Sequence, residues 1–191
     1  MKRKLGRTLV MSIGVLLVLA LSAAAPAGET YKQDAGGLEK QFDAFLKTYH
    51  KRADEQLDGA FSVFRMPNAA QWFAANFSAE DAARLSKAYG QQVSDAANSL
   101  AEDMNMADPG GKFRVHCEPR GEIKTGAAKD GSDVAAPLKP IRVEQYVMQF
   151  ESTGTGRKFL FMANFVYVDG AYRFVGGGGT AFWAKPGLGA Q

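Results

Sequence analysis

The stretch FVYVDGAYRFVGGGG, Phe165 to Gly179, decides the fold. Apolar and polar residues alternate on either side of Asp169-Gly170, and a type I′ turn demands positive φ at both central positions, which Asp-Gly supplies cheaply. The pattern predicts a hairpin in which Val168 faces Ala171, Tyr167 faces Tyr172 and Phe165 faces Phe174. Carried further, the same count sets Ala163 opposite Gly176, Met162 opposite Gly177 and Phe161 opposite Gly178. Bare glycine backbone beside bulky neighbours lets a sheet bend sharply or another element approach closely. A curved antiparallel sheet follows. One face carries Phe159, Phe161, Phe165, Tyr167, Tyr172 and Phe174, and the other carries Leu160, Met162, Asn164, Val166, Val168, Arg173 and Val175. Both are more apolar than a half-solvated sheet requires. One face covers the helices; the other calls for a second subunit, the C-terminal tail with Phe182 and Trp183, or a cavity wall.

Upstream, further strands are expected over Lys112–Glu118, Ile141–Phe150 and Arg157–Val168, each with a period of two. Gly121 to Pro140 reads as a long flexible connection with room for a frayed strand. The first half of the chain has a different period. Leu38, Phe42, Phe45, Leu46, Tyr49, Ala53 and Leu57 form a helical stripe preceded by Gly36-Gly37 and closed at Asp58-Gly59. Ala69 to Phe77 reads as a short helix. Ser78-Ala79-Glu80-Asp81 is a capping box that opens a long helix striped by Leu85, Tyr89, Val93, Ala96, Leu100 and Met104, ending near Asp108-Pro109-Gly110-Gly111. The fold class is α+β, with N-terminal helices packed on a curved antiparallel sheet.

The chain has 191 residues and a formal net charge of +3. Its start, with Lys2, Arg3, Lys4 and Arg7 ahead of an uncharged run centred on Val15 to Leu21, follows the plan of a secretory signal peptide. Ala25-Pro26-Ala27 offers a cleavage site, giving a leader over 1–27 and a single domain over 28–191; an uncleaved anchor is the alternative. The leader holds four of the 23 basic residues and none of the 20 acidic ones, so the mature chain sits one charge on the acidic side of neutrality. A strong basic field for nucleic acid or anionic lipid is absent. The expected location is secreted or periplasmic, with no membrane attachment after cleavage. Cys117 is the single cysteine, so no intrachain disulfide forms, and burial as a small inert hydrophobe is expected.

The glycine run is no phosphate cradle, because no helix follows it. His116 and Cys117 are neighbours on a strand and point to opposite faces, so they cannot form a dyad; His50 on the first helix is the other conceivable base. No metal-ligand spacing accompanies the two histidines, and neither a metal nor a cofactor is expected. Asn76-Phe77-Ser78 is a formal glycosylation sequon.

Helix, short helix, long helix, then a sheet ending in YVDGAYRFVG (Tyr167 to Gly176) resembles the NTF2-like superfamily of cone-shaped α+β rolls. That resemblance implies either a ligand or partner domain, or a small cofactor-free isomerase, dehydratase or hydrolase with an acidic base in the cone. For an enzyme, the residues it points to are Glu144 as base, with Tyr146 or His116 as donor. A carboxylate in an apolar pocket would act as a base through a raised pKa. The plainer reading pairs Glu144 with Arg142 at the sheet surface. For a binder, Trp72, Phe73, Tyr146, Met148, Phe165 and Tyr167 would line the site for a small hydrophobic ligand. A non-catalytic role with a homodimer through a sheet face is the leading expectation.

Overall fold

The computed structural model describes residues 29–51, 57–124, 135–177 and 183. The expected leader, Gly178, Gly179, Phe182 and the middle of the 121–140 connection lie outside the described residues. Helices α1 (Ala35–Lys51), α2 (Leu57–Phe61), α3 (Ala69–Asn76) and α4 (Ala79–Ala107) precede strands β1 (Phe113–Lys124), β2 (Arg142–Ser152), β3 (Lys158–Val168) and β4 (Ala171–Gly177). The strands form one antiparallel meander in the order β1-β2-β3-β4. This is an α+β fold with its helices ahead of an open sheet.

α1 begins at Asp34, whose carboxylate accepts the Gly37 N–H at 2.7 Å while its carbonyl accepts the Leu38 N–H at 3.1 Å. That is an N-cap, and it satisfies donors that the first helical turn leaves free. Leu38, Phe42, Phe45 and Leu46 are buried along one stripe, as the spacing predicts. The predicted end at Asp58-Gly59 is wrong: both residues lie inside α2. The reason is packing. Phe61 and Phe64 are fully buried, against Phe45 (centroids 5.8 Å) and Phe42 (4.4 Å) respectively. Continuing the helical path through Gly59 into a 3-10 turn at Ser62–Phe64 delivers both rings to that core.

α4 starts where the capping box placed it. The Ser78 hydroxyl oxygen accepts the Asp81 N–H at 3.2 Å. The Asp81 carboxylate accepts from the Ser78 hydroxyl rather than from its backbone N–H, so only half of the reciprocal box is made. Leu85, Tyr89, Val93, Leu100 and Met104 are buried as expected, and Ala97 rather than Ala96 completes the stripe.

In the hairpin, Asp169 (φ 52°) and Gly170 (φ 76°) both take positive φ, and the register runs as predicted from Val168↔Ala171 to Phe165↔Phe174. Beyond it the predicted pairing fails by one residue. Asn164 faces Gly176 and Ala163 faces Gly177, because Val175 is an extra residue on β4. Gly176, at φ 146°, supplies the backbone conformation that accommodates this bulge. β1 also outruns its predicted end at Glu118. Past an irregularity between Pro119 and Gly121, it pairs Gly121 with Gln145 and continues to Lys124 opposite Arg142, so the start of the predicted flexible connection is strand.

The sheet curls around α1. Glu39 accepts the backbone N–H of Cys117 on edge strand β1 at 2.9 Å. Two residues on, about 200° around the helix, the Gln41 side chain accepts the Tyr172 N–H and donates to the Tyr172 carbonyl, both at 2.9 Å, on edge strand β4. One helix thus touches both edges. Tyr89 of α4 adds a donor to the Phe174 carbonyl at 3.1 Å and accepts the Met66 N–H at 2.8 Å. These contacts satisfy edge groups that would otherwise invite another strand.

Candidate functional site

The register of β2 decides which side chains meet inside the curl. Glu144 and Tyr146 are two residues apart and therefore share the inner face, where Glu144 faces Phe165 and Tyr146 faces Ala163. Tyr172 arrives from β4, its ring 5.7 Å from that of Tyr146 at 82°. The Tyr146 hydroxyl donates to Glu144 Oε2 at 3.0 Å, and its oxygen lies 3.2 Å from the Tyr172 hydroxyl. Tyr172 also donates to the Asp34 carbonyl at 3.1 Å. Glu144 Oε1 accepts from Gln33 Nε2 at 2.8 Å and from Arg142 Nε at 2.9 Å, the latter shared with Glu122 at 2.9 Å.

Glu144 therefore meets both of its expected companions, the tyrosine donor and the surface arginine. It is 7 % exposed, and each carboxylate oxygen is engaged. Burial, aided by the Glu144 charge and hydrogen bond, pushes the Tyr146 hydroxyl up to about 12. Burial, with the Tyr146 hydrogen bond second, drives Tyr172 far above the ordinary phenol value. Both are neutral hydrogen-bonding groups at any physiological pH.

Of the other expected residues, Phe165 and Tyr167 join this cluster, with Phe165 6.3 Å from Tyr146 and Tyr167 5.3 Å from Tyr172 between ring centroids, and the rest lie apart from it. His116 is exposed on β1, its Nδ1 2.7 Å from Glu39 Oε1, and has no contact with the tyrosine cluster. Met148 and Phe165 are wholly buried in the aromatic core, where Phe165 packs on Phe42, Phe64 and Phe174. Trp72 and Phe73 lie on α3, where Trp72 packs on Phe77 and Trp183, and Phe73 packs on Tyr89 of α4. Trp183 is buried, at 5.6 Å from Phe77. Tyr167 is half-buried and its hydroxyl donates to the Tyr31 carbonyl. The buried Asn76 amide donates to the Trp72 carbonyl at 2.7 Å, which occupies the sequon nitrogen.

Cys117 is buried, and burial raises its thiol pKa, with the carboxylates of Glu39 and Asp43 acting in the same direction. A thiol so protonated is a poor nucleophile. No hydrogen bond joins it to His50 among the described residues. Burial, then the Lys112 charge, holds His50 below the ordinary imidazole value. A polar recess of about 150 Å³, lined by Arg114, Glu151, Ser152, Thr153 and Gly156, lies at the far end of β2. Its Ser152 hydroxyl donates to Asp108 and accepts the Gly154 and Thr155 N–H groups, which makes it a turn fastener. Among the described residues no cluster of three or more His, Cys, Asp or Glu could hold a metal, and no helix is long and apolar enough to cross a membrane.

The outer face divides in two. Asn164, Val166 and Val175 are buried, while Leu160 is 65 % and Met162 42 % exposed on successive outward positions of β3. Sequence reasoning named Tyr146 but omitted Tyr172 and Gln33 from the site. Tyr172 was within reach of the hairpin register; Gln33, 111 residues from Glu144, carried no local signal.

Set against known protein families, curated proteins and solved structures, the chain matches none.

Proposed function

We propose that the chain is an exported, non-catalytic domain of NTF2-like type that self-associates through the exposed end of its outer sheet face. The observation that carries this reading is the pair Leu160 and Met162, adjacent on one sheet face, whereas Met106 and Leu138, the other exposed large apolar side chains among the described residues, lie outside the strands. A second copy is the occupant that best fits their surroundings. Glu151 and Lys158, 3.2 Å apart and half-exposed, flank Leu160 on the same face. A two-fold contact there offers each group its complement from the other subunit, the self-complementarity that an isologous interface needs. The order of elements and the curl of the sheet support the NTF2-like assignment. The leader pattern supports export.

A binder of small hydrophobic molecules within the cone has less support, since Phe42, Phe64, Phe150, Phe165 and Phe174 already occupy the interior. A cofactor-free enzyme built on Glu144 retains one favourable observation, the Tyr146 contact. A general base, however, needs an unengaged oxygen within reach of substrate.

Leu160→Glu tests the reading. In sedimentation velocity the parent chain should run as a dimer, and the variant as a folded monomer with an unchanged far-ultraviolet spectrum. A parent that stays monomeric at tens of micromolar overturns it.

A further inference from the structure

The segment ahead of α1 is bound by the sheet as a peptide would be. Tyr31 donates its N–H to the Gly170 carbonyl at 2.7 Å and accepts the Tyr167 hydroxyl at its own carbonyl, so both of its backbone groups are read. The Asp34 carbonyl accepts the Tyr172 hydroxyl at 3.1 Å, and Gln33 places its amide on Glu144 at 2.8 Å. Thr30 crosses so close to the hairpin that a Cβ at Gly170 would meet its methyl at 2.8 Å. Main-chain hydrogen bonds for affinity, with one ring and one amide for selectivity, are the ingredients of extended-peptide recognition. Apart from half-buried Tyr31, the residues Glu29 to Asp34 are exposed, so this strap buries little apolar surface of its own.

We propose that the hairpin end of the sheet, formed by Tyr167, Gly170, Tyr172 and Glu144, is a peptide-docking site occupied in cis by Glu29–Asp34. The ligand it takes when the strap is out is an extended peptide with an aromatic residue two positions before a carboxamide. This site is independent of the proposed dimer face: Tyr167 lies seven residues along β3 from Leu160, about 23 Å away. The two tyrosine hydroxyls donate to peptide carbonyls, and Glu144 accepts the amide. Gly170 leaves the room in which the chain passes.

Two measurements on the full chain test it. Trypsin cleavage between Lys32 and Gln33 requires the strap to leave the sheet. Tyr167→Phe, which removes one donor and keeps the ring, should raise that cleavage rate about tenfold, the scale of one hydrogen bond. An unchanged rate overturns the docked strap. In a Tyr31→Ala/Gln33→Ala variant, the acetylated peptide ETYKQD should give saturable amide shifts at Gly170, Tyr172 and Glu144, and none in the parent, whose own strap competes at millimolar effective concentration. Absence of saturable shifts up to about 10 mM peptide overturns the site. Shifts of equal size in the parent overturn occupation in cis.

Discussion

At Gly37 the allowance for a side chain is set by one carbonyl: a Cβ there would fall 1.9 Å from the Lys32 oxygen. The three nearest atoms are all Lys32 backbone, so Gly37→Ala must push the docked strap aside and should destabilise the fold by about 1–3 kcal/mol despite alanine's better helix propensity. A urea midpoint shifted downward with unchanged slope would register this. Tyr89 makes a second residue-level case. Burial pushes its hydroxyl up to about 12, against an ordinary value of 10.0. The folded state therefore holds a proton that the unfolded chain releases between those values. Stability from Tyr89 is complete below pH 10 and is lost as pH rises toward 12, on the order of 3 kcal/mol. Melting temperatures from pH 8 to 12 should fall across that window, and Tyr89→Phe should be less stable at pH 8 but lose less on the way up. Neither residue advertised its role. The Ser78 cap and the Asp169-Gly170 turn were legible because their chemistry is local, whereas Gly37 and Tyr89 act on partners that only the folded chain supplies.

The elements were legible to the extent that period alone defines them. The α4 stripe and the hairpin register as far as Phe174 follow from spacing, yet spacing cannot register an added residue. The bulge at Val175 depends on Gly176 adopting φ 146°, one conformation among several open to a glycine in a run. Gly59 misled for the same reason: glycine permits a helix end without requiring it, and two buried phenylalanines pulled the chain onward. The clamp between α1 and the two sheet edges had no signature, because Glu39 and Gln41 look like ordinary solvent-side residues of an amphipathic helix. Gln41→Ala should be among the costliest polar-to-alanine changes in the chain. It would leave the Tyr172 N–H and carbonyl without their partner in the interior and remove one of two donors from the Val63 carbonyl, which keeps Arg173 Nη1 at 3.0 Å. A loss of about 2–4 kcal/mol is expected from stranded buried groups. Hydrogen exchange should quicken along β4 more than along β2, and uniform acceleration would argue against an edge clamp.

For the whole molecule, Glu144 shows how far the candidate site could be read. Its strand, its face and its tyrosine neighbour were predictable, but the strap that brings Gln33 to it joins positions 111 residues apart. A carboxylate with every oxygen engaged is a structural tie, so Glu144→Gln should lower stability by about 1–3 kcal/mol through the Arg142 and Tyr146 contacts. Thermal unfolding of the variant would measure that loss. The apolar account then turns on what meets Leu160 and Met162. Native mass spectrometry of residues 28–191, purified without denaturation, addresses this most directly: a homodimer with no retained small-molecule mass is the predicted result, and a monomer carrying an adduct of a few hundred daltons would contradict it.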